Sequence, residues 1–244
     1  MKIKYLISTI ILNIFVIGCS SNKDIVFENS YTDIYVNSQK NLQKGNYKVA
    51  LTLLETLYNR YPFGHYSKQA LLDMIYAYYK SDELPSAIST IDKFIQINPT
   101  DSNIDYVLYM RGLVAQSFDH NILQDFFGID QSDLDPQHAI VAFKDFNQLI
   151  RFYPNSLYAT DASKRLVFLK ERLAKYDLAI LKYYNKRSAY VAVINRTEQM
   201  LKNYPDTKST RYALKYMKIA YNKLGLTQEK NNVEKLIAAN NHMQ

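Results

Sequence analysis

The chain has 244 residues but only one cysteine, six glycines, six prolines and no tryptophan. A single cysteine excludes an intramolecular disulfide framework and any zinc site built from several cysteines. So few glycines and prolines argue against low complexity and against many strands joined by tight turns. With 48% hydrophobic and 22% charged residues, the chain is instead long enough and apolar enough for a sizeable globular core.

The one cysteine follows a short apolar segment at the start of the chain. Lys2 and Lys4 precede a run of 13 residues that is too short to span a bilayer, since a helix needs about 20. A basic start, a short apolar region and the small residue Gly18 are typical of an export signal. The ending VIGC resembles the lipobox of bacterial lipoproteins. Residues 1–18 are therefore predicted to be a signal peptide that is removed.

Cleavage there leaves Cys19 as the first residue, carrying a diacylglycerol and an acyl chain. The alternative for this residue is a buried structural cysteine. Ser20, rather than aspartate, follows it, which in such lipoproteins indicates the outer membrane. Residues 19–30 are then a flexible polar tether.

Helical periodicity continues almost to the end of the chain, and four segments finish alike, as LYNRYP, FIQINP, LIRFYP and MLKNYP. Small or apolar residues recur twelve, eight and five positions before each proline, with Val193 and Thr197 as the departures. The recurring residues are Ala50, Ala87, Ala142 and Val193; Leu54, Ile91, Phe146 and Thr197; and Leu57, Phe94, Leu149 and Met200.

This pattern is similar to the tetratricopeptide repeat, a helical hairpin of about 34 residues. It predicts an all-α, right-handed solenoid of about five hairpins with a concave groove. Residues 31–155 form the N-terminal repeats and residues 156–244 the C-terminal repeats. Between 156 and 187 neither glycine nor proline occurs, so one long helix is expected there.

No catalytic or metal-binding constellation is visible in the sequence. The four histidines form no HExxH motif, and no phosphate-binding or nucleophile motif is present. The segment 119–135 has five aspartates, but an EF-hand starting at Asp130 would place Asp135 and Val141 where glycine and glutamate are required. We therefore predict a binding protein rather than an enzyme, with no metal and no cofactor apart from the lipid on Cys19.

Tyrosines occupy the first helices of the predicted hairpins, which line the groove in this repeat class. A ring that is flat, apolar and polar at its edge suits contacts with a peptide, and a lysine suits a carboxylate. The alternative is that these rings pack between hairpins. The predicted groove residues are Tyr35, Leu72, Tyr76, Tyr79, Lys80, Tyr106 and Tyr109.

Charge divides unevenly along the chain. Residues 19–159 carry 11 Lys/Arg and 16 Asp/Glu, whereas residues 160–244 carry 17 and 7. Such a division indicates two surfaces with different partners, unless the basic part is simply a solvated face. The pI of about 9.1 also invites a nucleic-acid reading, which the export signal opposes.

Longer segments resemble the BamD (ComL) family, the lipoprotein component of the outer-membrane β-barrel assembly machinery. The similarity covers nearly the whole mature chain. It rests on RYPFGHYSKQALLDMIYAYYKSDELPSAISTIDKFIQINP, NIDYVLYMRGL, DFFGIDQSDLDPQHAIVAF and ATDASKRLVFLKERLAKY.

The resemblance implies a scaffold at the periplasmic face of the outer membrane. The N-terminal half would receive the aromatic C-terminal strand, with its free carboxylate, of unfolded outer-membrane proteins. The C-terminal half would dock on a periplasmic domain of the barrel-forming subunit, with Arg187 and Arg196 as the expected contacts. Companion assembly lipoproteins are further expected partners.

A different tetratricopeptide lipoprotein, acting in pilus assembly or in regulating a cell-wall synthase, is the alternative. Such a protein would share the lipid anchor and the repeats. It would lack the YPFG and FFGIDQSD segments that are present here.

Overall fold

A computed structural model describes residues 30–119 and 135–241, which form helices and no strand. Cys19, the tether and the interior of the aspartate-rich segment lie outside these residues. The helices are α1 (Tyr31–Gln43), α2 (Tyr47–Arg60), α3 (Ser67–Lys80), α4 (Leu84–Ile97), α5 (Ile104–Asp119), α6 (Gln137–Phe152), α7 (Ala159–Lys186), α8 (Tyr190–Asn203), α9 (Lys208–Lys223) and α10 (Thr227–Asn241). The predicted all-α fold of about five hairpins is thus confirmed.

The residues that recur before the four prolines form the packed seams of the hairpins. All twelve are buried, and Ala50, Ala87 and Ala142 are fully so. The departure at position 197 is accommodated locally, because the Thr197 hydroxyl donates to the Val193 carbonyl at 2.8 Å. A buried hydroxyl with a hydrogen-bond partner avoids most of the cost of burial.

Each helix packs on the next in the chain, and first helices also meet directly, as α3 with α5 and α7 with α9. This is the arrangement of stacked helical hairpins. The predicted long helix is present as α7, unbroken over 28 residues. Its first half lies in a core cluster shared by α1 through α7, and from Ala174 it belongs to a second cluster shared by α7 through α10.

The turns inside the hairpins need a left-handed residue. Gly45 and Gly225 have φ values of 75° and 74°, and Asp82 and Ser188 adopt 62° and 57°. Asp82 lies in the turn before α4, Glu83 is the N-cap of that helix, and Pro85 lies in its first turn.

Candidate peptide-binding site

Tyrosines from the first helices form two stacks. In the first stack the rings of Tyr35 and Tyr66 lie parallel with centroids 4.2 Å apart, and Tyr31 contacts Tyr66 at 5.7 Å. In the second stack the rings of Tyr109 and Tyr158 are 4.8 Å apart. Aromatic pairs at these distances gain about 0.5–1.5 kcal/mol beyond their buried area, so each ring favours the orientation that its neighbour sets.

One carboxylate, Asp73 on α3, links the first stack to its neighbours. It accepts hydrogen bonds from the Nε2 atoms of Gln39 at 2.5 Å and Gln69 at 3.0 Å, and also from the Tyr35 hydroxyl. Burial raises the pKa of Asp73, although these three donors oppose the rise. Burial and the nearby Asp73 raise the pKa of Tyr35 to about 12, so its hydroxyl stays a donor at neutral pH.

Tyr106 on α5 packs against the second stack, with its ring centroid 5.6 Å from that of Tyr158. Burial raises the pKa of Tyr106, and the charges of Tyr158, Asp73 and Tyr76 raise it further. We call the two stacks, with Gln39, Gln69, Asp73, Tyr76 and Tyr106, the tyrosine face.

The second stack is held in place by Asp161, which forms an ion pair with Arg165. The Tyr109 hydroxyl donates to Asp161 at 2.8 Å, and Arg165 Nε donates to the same carboxylate at 2.5 Å. Burial acts to raise the pKa of Asp161, but hydrogen bonds from Arg165 and Tyr109 outweigh it and leave that pKa below its ordinary value. Asp161 therefore stays charged and holds Tyr109 against α7.

The exposed stripe of α3 differs in phase from the prediction. Leu72 is only 4% exposed and lies in the core, so the structure corrects its assignment to the groove. Helical spacing tells which residues share one face of α3, but it does not tell which face points away from the core. The stripe that faces outward is Gln69, Asp73, Tyr76 and Lys80.

The other predicted groove residues keep some exposed surface. Tyr76 is 39% exposed and contacts Tyr47 edge-on at 6.1 Å, and Lys80 is exposed in the last turn of α3. Tyr79 is half-buried and packs on the core. Tyr35, Tyr106 and Tyr109 are half-buried in the tyrosine face, where ring faces touch other rings.

Sequence reasoning missed Tyr66, Asp73 and Tyr158. Tyr66 and Tyr158 are the N-cap residues of α3 and α7, at the same place after the prolines of their repeats. That shared position was a usable signal. Asp73 could have been found as the polar residue between Gln69 and Tyr76 at helical spacing.

The two arginines expected to dock on a partner differ in their surroundings. Arg187 is exposed at the end of α7, with its guanidinium 5.5 Å from the centre of the Tyr183 ring. Arg196 is half-buried, and its Nη1 donates to Asp177 at 2.6 Å. Arg187 is thus open to a ligand, whereas Arg196 already has a carboxylate.

The described residues contain no group of three or more metal-ligating side chains and no helix long and apolar enough to cross a membrane.

Comparison with known proteins gives the family. The sequence model of the family described as "Outer membrane lipoprotein" (YfiO) matches residues 27–236. The chain belongs to this family. It is 46% identical over 223 residues to outer membrane protein assembly factor BamD of Vibrio cholerae, covering 91% of this chain and 92% of that protein.

Two further relatives of the family carry the same name. The Haemophilus influenzae protein is 41% identical, and the match covers 92% of this chain and 86% of that protein. The Neisseria meningitidis serogroup A protein is 34% identical, and the match covers 97% of this chain and 91% of that protein. The resemblance expected from the sequence is confirmed, which favours this family over other tetratricopeptide adaptors.

Proposed function

We propose that this chain acts in outer membrane protein assembly as a lipid-anchored scaffold at the periplasmic face of the outer membrane. The tyrosine face receives the aromatic C-terminal strand of an unfolded outer-membrane protein. The observation that carries this proposal is the pair of tyrosine stacks together with the exposed Tyr76, which has Lys80 at the end of the same stripe.

The chemistry of the face matches such a strand. Aromatic side chains of the ligand stack on Tyr76 and on the outer edges of the two stacks, where tyrosine offers apolar area at little entropic cost. The amide nitrogens of Gln39 and Gln69 are held by Asp73. Their carbonyl oxygens accept hydrogen bonds from the backbone of an extended peptide, and Lys80 pairs with its terminal carboxylate.

The test is a binding measurement with an eight-residue peptide that alternates phenylalanine and serine and ends in a free carboxylate. Tyr76→Ala should weaken its binding by about 1–2 kcal/mol, or roughly tenfold. Lys80→Gln should weaken binding of the free acid but not of the C-terminal amide. The matched controls are Phe152→Ala and Lys48→Gln, which alter exposed residues of second helices.

Unchanged affinity in both Tyr76→Ala and Lys80→Gln, with the helical circular dichroism intact, would remove the tyrosine face from the function. Equal losses for the acid and the amide in Lys80→Gln would exclude only the carboxylate contact.

The C-terminal half docks on a periplasmic domain of the barrel-forming subunit, and Arg187 is an exposed cation at the end of α7 that can contact it. Arg196 supports that region through Asp177. Arg187→Ala should reduce recovery of the subunit in a pull-down from solubilised outer membranes, whereas Arg151→Ala, an exposed arginine of α6, should not. Equal recovery of the subunit with both variants would show that Arg187 does not contribute to docking.

Membrane attachment through Cys19 is tested by Cys19→Ser. The variant should leave the membrane fraction or stay unprocessed, since one buried methylene contributes about 0.8 kcal/mol and the acyl chains carry the attachment. Full retention of a processed variant would contradict lipidation.

A further inference from the structure

A second groove lies in the C-terminal half, between the first helices α7 and α9. Its volume is about 720 Å³, within the range of roughly 300–1,000 Å³ found for ligand sites. Residues of α7 line one wall over the stretch from Glu171 to Lys186, and Lys208, Tyr212 and Tyr216 of α9 line the other. None of these residues belongs to the tyrosine face.

The lysines of this groove are unpaired within the described residues. Lys175, Lys182, Lys186 and Lys208 are all exposed, and their ammonium groups form no ion pair there. Like charges gathered along one groove create a positive potential that attracts an anionic ligand.

The single carboxylate of the groove is already used. Glu171 accepts hydrogen bonds from the backbone nitrogens of Lys208 at 2.9 Å and Ser209 at 3.1 Å, and from the Ser209 hydroxyl at 2.7 Å. Glu171 therefore caps the start of α9, where orphan N–H groups need acceptors. It leaves the lysines available for a ligand.

Neighbouring carboxylates are engaged away from the groove. Asp177 pairs with Arg196 at 2.6 Å, Asp206 with Lys170 at 3.0 Å, and Glu234 with Lys218 at 3.1 Å. Tyrosines complete the groove: Tyr183 is 54% exposed and Tyr212 is 57% exposed. The surface thus combines cations with flat apolar rings.

The dimensions fit an extended peptide. Lys182 and Lys186 lie one turn apart, about 6 Å along the axis of α7, and Lys175 lies about 10 Å before Lys182. In an extended chain, alternate side chains lie on the same face, about 7 Å apart. Carboxylates at peptide positions 1, 3 and 5 therefore face the three lysines of α7 together, at spacings that the long lysine side chains can reach.

We propose that this basic groove binds an acidic, extended segment of a partner protein, with its carboxylates on the lysines and its apolar side chains on Tyr183 and Tyr212. This site is separate from the tyrosine face, because it needs neither an aromatic C-terminus nor a free terminal carboxylate.

The experiment uses the full mature lipoprotein in neutral detergent and a seven-residue peptide, Glu-Tyr-Glu-Phe-Glu-Ser-Leu-amide, with a fluorescent label on its N-terminus. We expect binding that weakens as NaCl rises, and no binding of the counterpart with glutamine at the three glutamate positions. Lys182→Gln combined with Lys186→Gln should weaken binding about five- to tenfold, as expected for two exposed ion pairs. Tyr212→Ala should weaken it severalfold.

The matched control is Lys202→Gln combined with Lys223→Gln, which removes the same charge from exposed positions of the same half outside the groove. It should change affinity less than twofold. An equal loss in the control, or no binding of the acidic peptide, would overturn the proposal. So would binding of phosphatidylglycerol vesicles that depends on Lys182 and Lys186 when the peptide does not bind. Since the peptide has a blocked C-terminus, loss of the tyrosine-face function would not alter this result.

Discussion

At the scale of single residues, the third hairpin shows how closely its two helices approach. Gly112 on α5 faces the fully buried Phe146 on α6, and a Cβ at position 112 would lie 2.5 Å from Phe146 Cε1. Such a distance is far below van der Waals contact. The absence of a side chain at Gly112 therefore makes room for the large ring that the repeat places at position 146.

Gly112→Ala should destabilise the chain by about 1–2 kcal/mol, because an overpacking cost of up to about 3 kcal/mol outweighs a gain of about 1 kcal/mol in helix propensity. Urea unfolding followed by circular dichroism measures the change. In a Phe146→Leu background the same substitution should cost much less, since the shorter side chain leaves space. Equal costs in both backgrounds would show that the ring is not the obstacle.

Another residue-scale effect depends on pH. The hydrogen bond from Lys68, at 2.7 Å, is the main reason that the pKa of Asp101 lies below its ordinary value. A carboxyl whose folded pKa is lowered contributes stability above the unfolded pKa of about 3.9, and loses it as the pH falls through the folded pKa.

Asp101→Asn should therefore reduce the free energy of unfolding at pH 6 by about 0.5 kcal/mol, a value kept small by the exposure of Lys68. Near pH 2.5 the variant and the parent should be equally stable, and about 1 M NaCl should shrink the difference at pH 6. Urea unfolding at the two pH values measures the free energy of unfolding of both proteins. If the difference between variant and parent stays constant with pH, the ion pair does not stabilise the chain.

At the scale of elements, the turns within hairpins share one backbone requirement. Gly45, Asp82, Ser188 and Gly225 all adopt positive φ between the two helices of their repeats. Only glycine reaches this region without a steric penalty, which is about 1 kcal/mol or more for other residues. The hairpins that carry Asp82 and Ser188 thus contain a strained position that the first hairpin avoids.

Ser188→Gly should stabilise the chain by about 0.5–1 kcal/mol, because relief of the left-handed strain exceeds the entropy that glycine adds to the unfolded state. The reverse test is Gly225→Ala, which should destabilise by a similar amount although nothing lies within 4 Å of the new Cβ. Thermal unfolding of the two variants measures both changes. A destabilised Ser188→Gly would mean that the weak contact from the Tyr190 hydroxyl, at 3.4 Å, matters more than the backbone.

The sequence was sufficient to predict the helices, because proline, small residues and apolar spacing act locally. Pro62, Pro99 and Pro154 lie just past the ends of α2, α4 and α6. The candidate site was less predictable, since it depends on contacts between hairpins. The hydrogen bond from Tyr109 to Asp161 joins residues 52 positions apart, and the periodicity of the sequence cannot predict such a contact.

At the scale of the whole molecule, α7 joins two hydrophobic clusters and two kinds of surface. The tyrosine face lies on the first cluster, and the basic groove lies on the second. Four of the basic residues after residue 160, Lys175, Lys182, Lys186 and Lys208, line the groove between α7 and α9. Because each hairpin contacts mainly its neighbours, we expect the two clusters to differ in stability.

Leu181→Ala tests this division, since Leu181 is fully buried in the second cluster. The substitution should cost about 2–5 kcal/mol locally through the cavity that it leaves. Hydrogen exchange should then quicken in α8, α9 and α10 while α1 through α4 keep their protection. The matched variant Leu54→Ala, fully buried in the first cluster, should give the opposite pattern. Faster exchange throughout the chain in both variants would mean that α7 couples the two clusters into one cooperative unit, and that a ligand in the basic groove can stabilise the tyrosine face.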